Sequence, residues 1–246
     1  MWARQRHRCD DSILDTGHDR RLPHAHLAGR RCHNPRMSQA AGPATPADKQ
    51  TLRRQLRAQR RSRAPGRDRG ADGAAIAAAT STLLDTLPAS PSRAGEHPSY
   101  GVQPCVAIYR SLPTEPPTEA LAEMLLVRGL KVVVPEMLPD KDLDWHELRA
   151  DGSEGPRLGL DGITAARIIL APALAVDHSG TRLGQGGGSY DRALSRRHLR
   201  AVIVAIVNDE EYAAPPLPSD AHDVRVNAVI TPGGGLTPIG GSGSVA

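Results

Sequence analysis

The segment of this sequence best equipped for chemistry is Thr181-Arg-Leu-Gly-Gln-Gly-Gly-Gly-Ser-Tyr-Asp-Arg192, where four of the five residues from 184 to 188 are glycine. Glycine has no Cβ, so successive backbone N–H groups can turn inward as a nest for an anion. The loop opens into a helical pattern, Ser189 to Arg197, whose N-terminus adds partial positive charge. Such a loop binds phosphate. Arg182 can add a forked, charge-assisted contact to phosphate oxygens. Asp191, in the first helical turn, can hold Mg²⁺ directly or through water. Neither standard nucleotide motif fits. There is no G-x-x-x-x-G-K-[ST], and in G-x-G-x-x-G register the last position is Ser189. Read alone, the same residues also suit a surface loop whose Asp191 offsets the helix dipole.

A second set is cationic. Lys49 and Arg53 share one face of a helix expected over residues 47–62, and Leu52 and Leu56 share its apolar face. Such a helix docks through its leucines and points both cations at phosphates. The alternative is a solvated basic face. Glu115 and the pair His222-Asp223 lie in turn-rich stretches, where a loop acid and a structural turn are the plain readings. Aromatic residues make up only 2% of the chain and phenylalanine is absent. Tyr109, Trp145 and Tyr190 are therefore the main options for stacking a flat ring. Tyr109 and Trp145 also read as core residues.

Short β-branched runs must position these groups. Strands are expected at Cys105–Tyr109, Lys131–Val134 (stopped by Pro135), Arg167–Leu170 (stopped by Pro172), Val202–Val207 and Asn227–Ile230. Helices are expected at 70–87 and at Glu119–Arg128, the latter closed by Gly129 at a C′ position. Pro88–Pro98 reads as a loop. Continuous apolar strands alternating with helices imply an α/β domain, with a mainly parallel sheet and helices on both faces. The Gly-rich end, residues 233–246, reads as a flexible tail.

Charge is unevenly placed. Residues 1–36 carry eight Arg and four Asp, so they hold the whole net charge of +4. The remaining chain has 23 basic and 23 acidic residues. A neutral body argues against a nucleic-acid partner. The leader has no apolar run for a secretory signal, and its acids spoil a transit-peptide pattern. It reads as a disordered extension, with translation expected to start near Met37. Three cysteines, Cys9, Cys32 and Cys105, are too few and too widely spaced for a disulfide framework, and suit a reducing cytoplasm. No apolar stretch reaches the ~20 residues of a membrane span.

Several ordered motifs carry a resemblance. Arg182-Leu-Gly-Gln-Gly-Gly-Gly-Ser-Tyr-Asp-Arg192 closely resembles the signature of the 5-formyltetrahydrofolate cyclo-ligase (methenyltetrahydrofolate synthetase) family. Lys49-Gln-Thr-Leu-Arg53 resembles its opening helix, and Tyr109-Arg-Ser-Leu-Pro-Thr-Glu115 its first strand and acidic loop. Leu130–Pro135, Ala171–Asp177 and Leu217–Asp223 resemble later strands and the closing segment. The likeness runs from about Lys49 to Pro232, a single domain over residues 37–232. It implies a sugar-phosphate isomerase/CoA-transferase-like fold and a cytoplasmic, monomeric enzyme. The reaction implied joins ATP and 5-formyltetrahydrofolate to give 5,10-methenyltetrahydrofolate, ADP and phosphate, with Mg²⁺ as cofactor. The resemblance assigns ATP contacts to Lys49, Arg53, Arg182, Leu183, Gly184, Gln185, Gly186, Gly187, Gly188, Ser189 and Tyr190. It assigns folate contacts to Arg110, Glu115 and Gln185 through Ser189, and metal contacts to Asp191 and Asp223. The sequence departs from the family pattern at Ser189, often aromatic in relatives, and at Asn227, usually Asp. The stretch from Trp145 to Ala171 is short for the family. That shortening motivates an alternative, a non-catalytic paralogue that binds folate or nucleotide.

Overall fold

The computed structural model describes residues 46–86, 104–220 and 223–240. The leader, the start near Met37, the Pro88–Pro98 loop, His222 and residues 241–246 lie outside the described residues. In chain order the elements are α1 (Pro46–Arg63), α2 (Arg69–Thr86), β1 (Cys105–Ala107), α3 (Glu119–Val127), β2 (Lys131–Met137), β3 (Leu143–Leu148), β4 (Glu154–Arg157) and β5 (Ala166–Pro172). There follow β6 (Ala175–Asp177), β7 (Arg182–Leu183), α4 (Ser189–Ser195), β8 (Val202–Ile206), β9 (Tyr212–Ala214), β10 (Ala228–Thr231) and β11 (Gly235–Pro238).

Eight strands form one sheet in the order β11-β10-β8-β5-β1-β2-β3-β4. The five central strands are parallel, and β3, β4 and β11 add antiparallel edges. Alternation along each strand sends side chains to two faces. Val106, Val132, Val134, Ile168, Leu170, Val204 and Ile206 meet Ile76 and Leu83 of α2 and Leu121 and Leu125 of α3. Cys105, Val133, Ile169, Ile203 and Ala205 meet Ala193 and Leu194 of α4, and Ile163 of a 3₁₀ turn at Leu160–Ala165. Because both faces are covered, the strands read as unbroken apolar runs. Trp145 is fully buried in the second of these cores, and Tyr109 in the first.

Helix ends follow their local chemistry. The Asp68 carboxylate accepts the Ala71 N–H at 3.0 Å and caps the start of α2. At the end of α3, Gly129 takes φ +71°. Gly129 N–H donates to Leu126 O and Leu130 N–H to Leu125 O, so the cap is the glycine-dependent one expected.

Two sequence expectations are corrected. Strand β2 does not stop at Pro135 but continues to Met137, with Pro135 opposite Trp145. The Trp145 carbonyl accepts Leu158 N–H and so points to the β4 side. Pro135 nitrogen therefore faces away from β3, toward β1, whose ladder with β2 has ended at Ala107–Val133. A missing donor costs no ladder bond there. At the other edge, Gly235–Pro238 form β11, paired antiparallel with β10, within the stretch whose composition suggested a tail. The glycines mark a tight turn between two strands rather than fraying.

A small second sheet, β7-β6-β9, joins the two strands that lead into the glycine loop to a third that follows β8. Its buried Ala175 and Leu183, with Leu217, receive Leu52 and Leu56 of α1. The apolar stripe of α1 thus docks as its spacing predicted.

Candidate active site

The glycine loop is built by its neighbours. Just before it, the carboxylate of buried Asp177 accepts Ser179 N–H, Ser179 hydroxyl and Thr181 N–H on one oxygen and Leu217 N–H on the other, all at 2.7–2.9 Å. Burial alone would raise the Asp177 pKa, but these donors outweigh it and hold the group below the usual carboxylate value. One buried charge therefore orders the turn into β7 and ties it to the Leu217 segment. Within the loop, Gly186 and Gly188 take φ of +97° and +70°. Side chains rarely adopt that region, and a Cβ at Gly186 would also lie 3.3 Å from Arg53 Cδ. Gln185, Gly186 and Gly187 are exposed, so the loop's backbone faces outward to solvent.

Helix α1 lays a row of cations along this loop. Lys49 Nζ donates to Asp220 Oδ2 at 2.7 Å and to Asp223 Oδ2 at 3.1 Å. Arg53 Nε donates to Gly184 O at 3.0 Å. Arg57 Nε donates to Gln185 Oε1 at 2.9 Å, and its Nη2 to Gln185 O. Arg60 ion-pairs with Glu211. Burial of Lys49 would lower its pKa, but the two aspartates outweigh it and hold the ammonium above the ordinary lysine value. Lys49 is therefore a fixed cation at neutral pH.

Arg182 crosses under the loop. Its side chain is buried, with Nη2 on Asp191 Oδ1 and Nη1 donating to Pro172 O at 3.2 Å. The guanidinium carbon lies 5.9 Å from the centre of the Tyr190 ring, within cation–π range. Burial pushes the Tyr190 hydroxyl well above its usual pKa. Arg182 and Asp223 both line a cavity of about 320 Å³ with Thr181, Ser219, Asp220, Val224 and Arg225. Lys49 is bonded to both of its acids.

The candidates thus fall into two groups and one outlier. Arg182 and Asp223 line the cavity, with Lys49 bonded to Asp223 and Asp191 bonded to Arg182. Glu115 meets Gln185, whose Nε2 donates to Glu115 Oε1 at 3.2 Å, while Leu112 N–H donates to Oε2 at 3.0 Å. Arg110 stands apart, ion-paired with Glu154 at 2.7 Å on a separate groove of about 840 Å³ between α3 and the sheet. Asn227 is structural: its Oδ1 accepts Ile203 N–H at 2.8 Å. Asp177, Arg57, Arg60, Glu211 and Asp220 were not singled out in the sequence. The spacing 49, 53, 57, 60 is a helical face, but eight arginines between 53 and 69 blur it. Among the described residues, no group of three or more His, Cys, Asp or Glu side chains forms a metal cage. The carboxylates of Asp191 and Asp223 are hard oxygen donors of the kind Mg²⁺ shares with substrate phosphates, so the donor set fits that ion.

Residues 45–232 match the model of the 5-formyltetrahydrofolate cyclo-ligase family. The chain belongs to that family. It is 35% identical over 146 residues to the 5-formyltetrahydrofolate cyclo-ligase of Mycolicibacterium smegmatis, covering 53% of this chain and 75% of the relative. It is 30% identical over 155 residues to the Escherichia coli K12 enzyme of the same name, covering 57% and 85%. Its fold is similar to the solution structure of Aquifex aeolicus 5,10-methenyltetrahydrofolate synthetase, with a TM-score of 0.55 at 20% identity, covering 80% of this chain and 95% of that one. The family match runs through residues 145–171, which fold as part of β3, β4, the 3₁₀ turn and part of β5. Nothing in these likenesses favours a non-catalytic relative. No helix among the described residues is long and apolar enough to cross a membrane.

Proposed function

We propose that this chain is an ATP-dependent ligase that closes 5-formyltetrahydrofolate to 5,10-methenyltetrahydrofolate, releasing ADP and phosphate, in the cytoplasm. The observation that carries this reading is the row Lys49, Arg53 and Arg57 of α1, set against the aspartates of the cavity and the glycine loop, in a chain of the cyclo-ligase family. In the reaction the formyl oxygen attacks the γ-phosphate, N10 closes on the activated carbon with loss of its proton, and phosphate leaves with the former formyl oxygen. The protein's work in such chemistry is positioning and charge neutralisation.

The residues suit that work. Arg182 lines the cavity, Lys49 stands behind its two aspartates, and the exposed loop beside them offers backbone N–H donors to phosphate oxygens. Arg53 braces Gly184 from outside, so the loop keeps its shape when the anion arrives. Mg²⁺, held by Asp191 and Asp223 with the phosphates, would offset charge on the transferring group. Glu115 is an acceptor for folate N–H groups, held on one side by Leu112 N–H and on the other by Gln185. Because Gln185 belongs to the glycine loop, folate and nucleotide contacts adjoin. The full chain, given Mg²⁺, ATP and 5-formyltetrahydrofolate, should produce the near-ultraviolet absorbance of the methenyl product. Folate binding without that signal would overturn the reading.

A further inference from the structure

We infer that Arg60 is a positioning residue that sets the Glu115 carboxylate against the glycine loop. The inference rests on the reading of Glu115 as a folate contact. Arg60 is only 3% exposed. Its guanidinium gathers three loops, each leaving the C-terminal end of a central parallel strand. Nη2 donates to Ala173 O, beyond β5, at 2.6 Å. Nε and Nη2 grip both oxygens of Glu211, beyond β8, at 2.6 Å each. Nη1 faces Glu115, beyond β1, at 3.8 Å from Oε1. This edge of an open α/β sheet is where ligands bind.

The contacts differ in tightness. Glu211 and Ala173 fix the guanidinium in place. Nη1 is buried and has no hydrogen-bond partner among the described residues. Glu115 Oε1 lies between Nη1 at 3.8 Å and Gln185 Nε2 at 3.2 Å. The other oxygen is held by Leu112 N–H at 3.0 Å. A small swing of the carboxylate about that anchor would close the bond to Nη1. Arg60 therefore offers Glu115 a fixed positive charge while a folate N–H replaces the Gln185 amide. A lysine offers one point charge and cannot hold Glu211 in a fork while also serving Glu115.

The test compares wild type, Arg60→Lys, Glu115→Gln and the double variant by methenyl formation, with Tm measured for each. Loss of one charge-assisted contact predicts that Arg60→Lys raises the KM for 5-formyltetrahydrofolate about tenfold, with the KM for ATP within about twofold. Glu115→Gln should do the same, and the double variant should be no worse than Glu115→Gln alone. If Arg60→Lys does not fold, Glu211→Gln, which loosens the guanidinium without removing it, should give the same split in KM. Equal rises in both KM values, a fall in Tm alone, or additive effects would overturn the Arg60 assignment while the cyclo-ligase reading stands. A wild type that binds folate but does not turn over would overturn both.

Discussion

Arg182 and Asp191 form an ion pair that spans the glycine loop, joining the strand that enters it to the helix that leaves it. The Arg182 side chain is 3% exposed and that of Asp191 is 32% exposed. The pair clamps the two ends of the loop, and it leaves a buried charge if the aspartate is lost. Asp191→Asn should therefore lower Tm as well as turnover. Removing one partner of a fully buried pair costs ~3–5 kcal/mol, and the exposure of Asp191 brings the expectation down to about 1–3 kcal/mol. If Asp191 also meets Mg²⁺, turnover should fall by more than the stability loss explains, at temperatures where the variant remains folded. A variant that loses stability but keeps wild-type turnover would leave Asp191 as a clamp only.

Arg182→Lys should raise the KM for ATP, with incomplete function relative to arginine. The fork serves Asp191 and the Pro172 carbonyl at once, and one ammonium cannot reproduce that geometry. Steady-state kinetics at varied ATP check this, and equal KM values for the two side chains would contradict it.

Helix α1 separates packing from charge. Leu52 and Leu56 dock on Ala175, Leu183 and Leu217, while Lys49 meets Asp220 and Asp223 and Arg53 meets Gly184. Lys49→Ala with Arg53→Ala should leave the protein folded and weaken ATP binding about tenfold or more, as expected for lost charge-assisted contacts. Calorimetric titration with ATP reads the effect directly. Leu52→Ala with Leu56→Ala should instead lower Tm, because it removes the apolar dock.

The fold was largely legible because its signals are local. Val and Ile runs marked the central strands, Gly129 marked the end of α3, and the leucine pair marked the buried face of α1. Pro135 misled because a proline stops a strand only where its N–H is needed, and that depends on which neighbour lies beside it. The β11 strand was hidden because four residues of mixed composition gain their order from β10, not from their own propensity. In the site, the glycine loop was visible as a pattern. Asp177 and Arg60 were not, since their importance comes from burial and from partners 40 to 151 residues away. One sequence cannot show such distances.

Asp177 gives a pH prediction with a definite sign. Its pKa is depressed in the folded state, so its contribution is present above the unfolded aspartate value of ~3.9 and is lost as pH falls through the folded value. Asp177→Asn should cost about 2–3 kcal/mol at neutral pH, since several backbone donors lose a charged acceptor. The gap in Tm between variant and wild type should narrow at acid pH. A constant gap from neutral to acid pH would contradict the assignment.

His146 gives the opposite sign. Its ring nitrogens face Gly155 O at 3.1 Å and Glu136 Oε2 at 2.8 Å, linking β2, β3 and β4. The Gly155 carbonyl and Glu136 favour the protonated ring and raise its pKa. That stabilisation is present below the unfolded value of ~6.5 and is lost as pH rises through the folded value. His146→Gln should flatten the pH dependence of Tm on the alkaline side of that value. An unchanged profile would exclude this hairpin contact as a contributor.

The proposed reaction carries the formyl oxygen of folate to the γ-phosphate of ATP. It is tested most directly by supplying 5-formyltetrahydrofolate with a heavy oxygen isotope in the formyl group. The methenyl product, ADP and phosphate should appear in equal amounts, with the heavy oxygen recovered in the phosphate. Product formed without ATP, or phosphate carrying only oxygen from water, would rule out formyl-oxygen attack on the γ-phosphate.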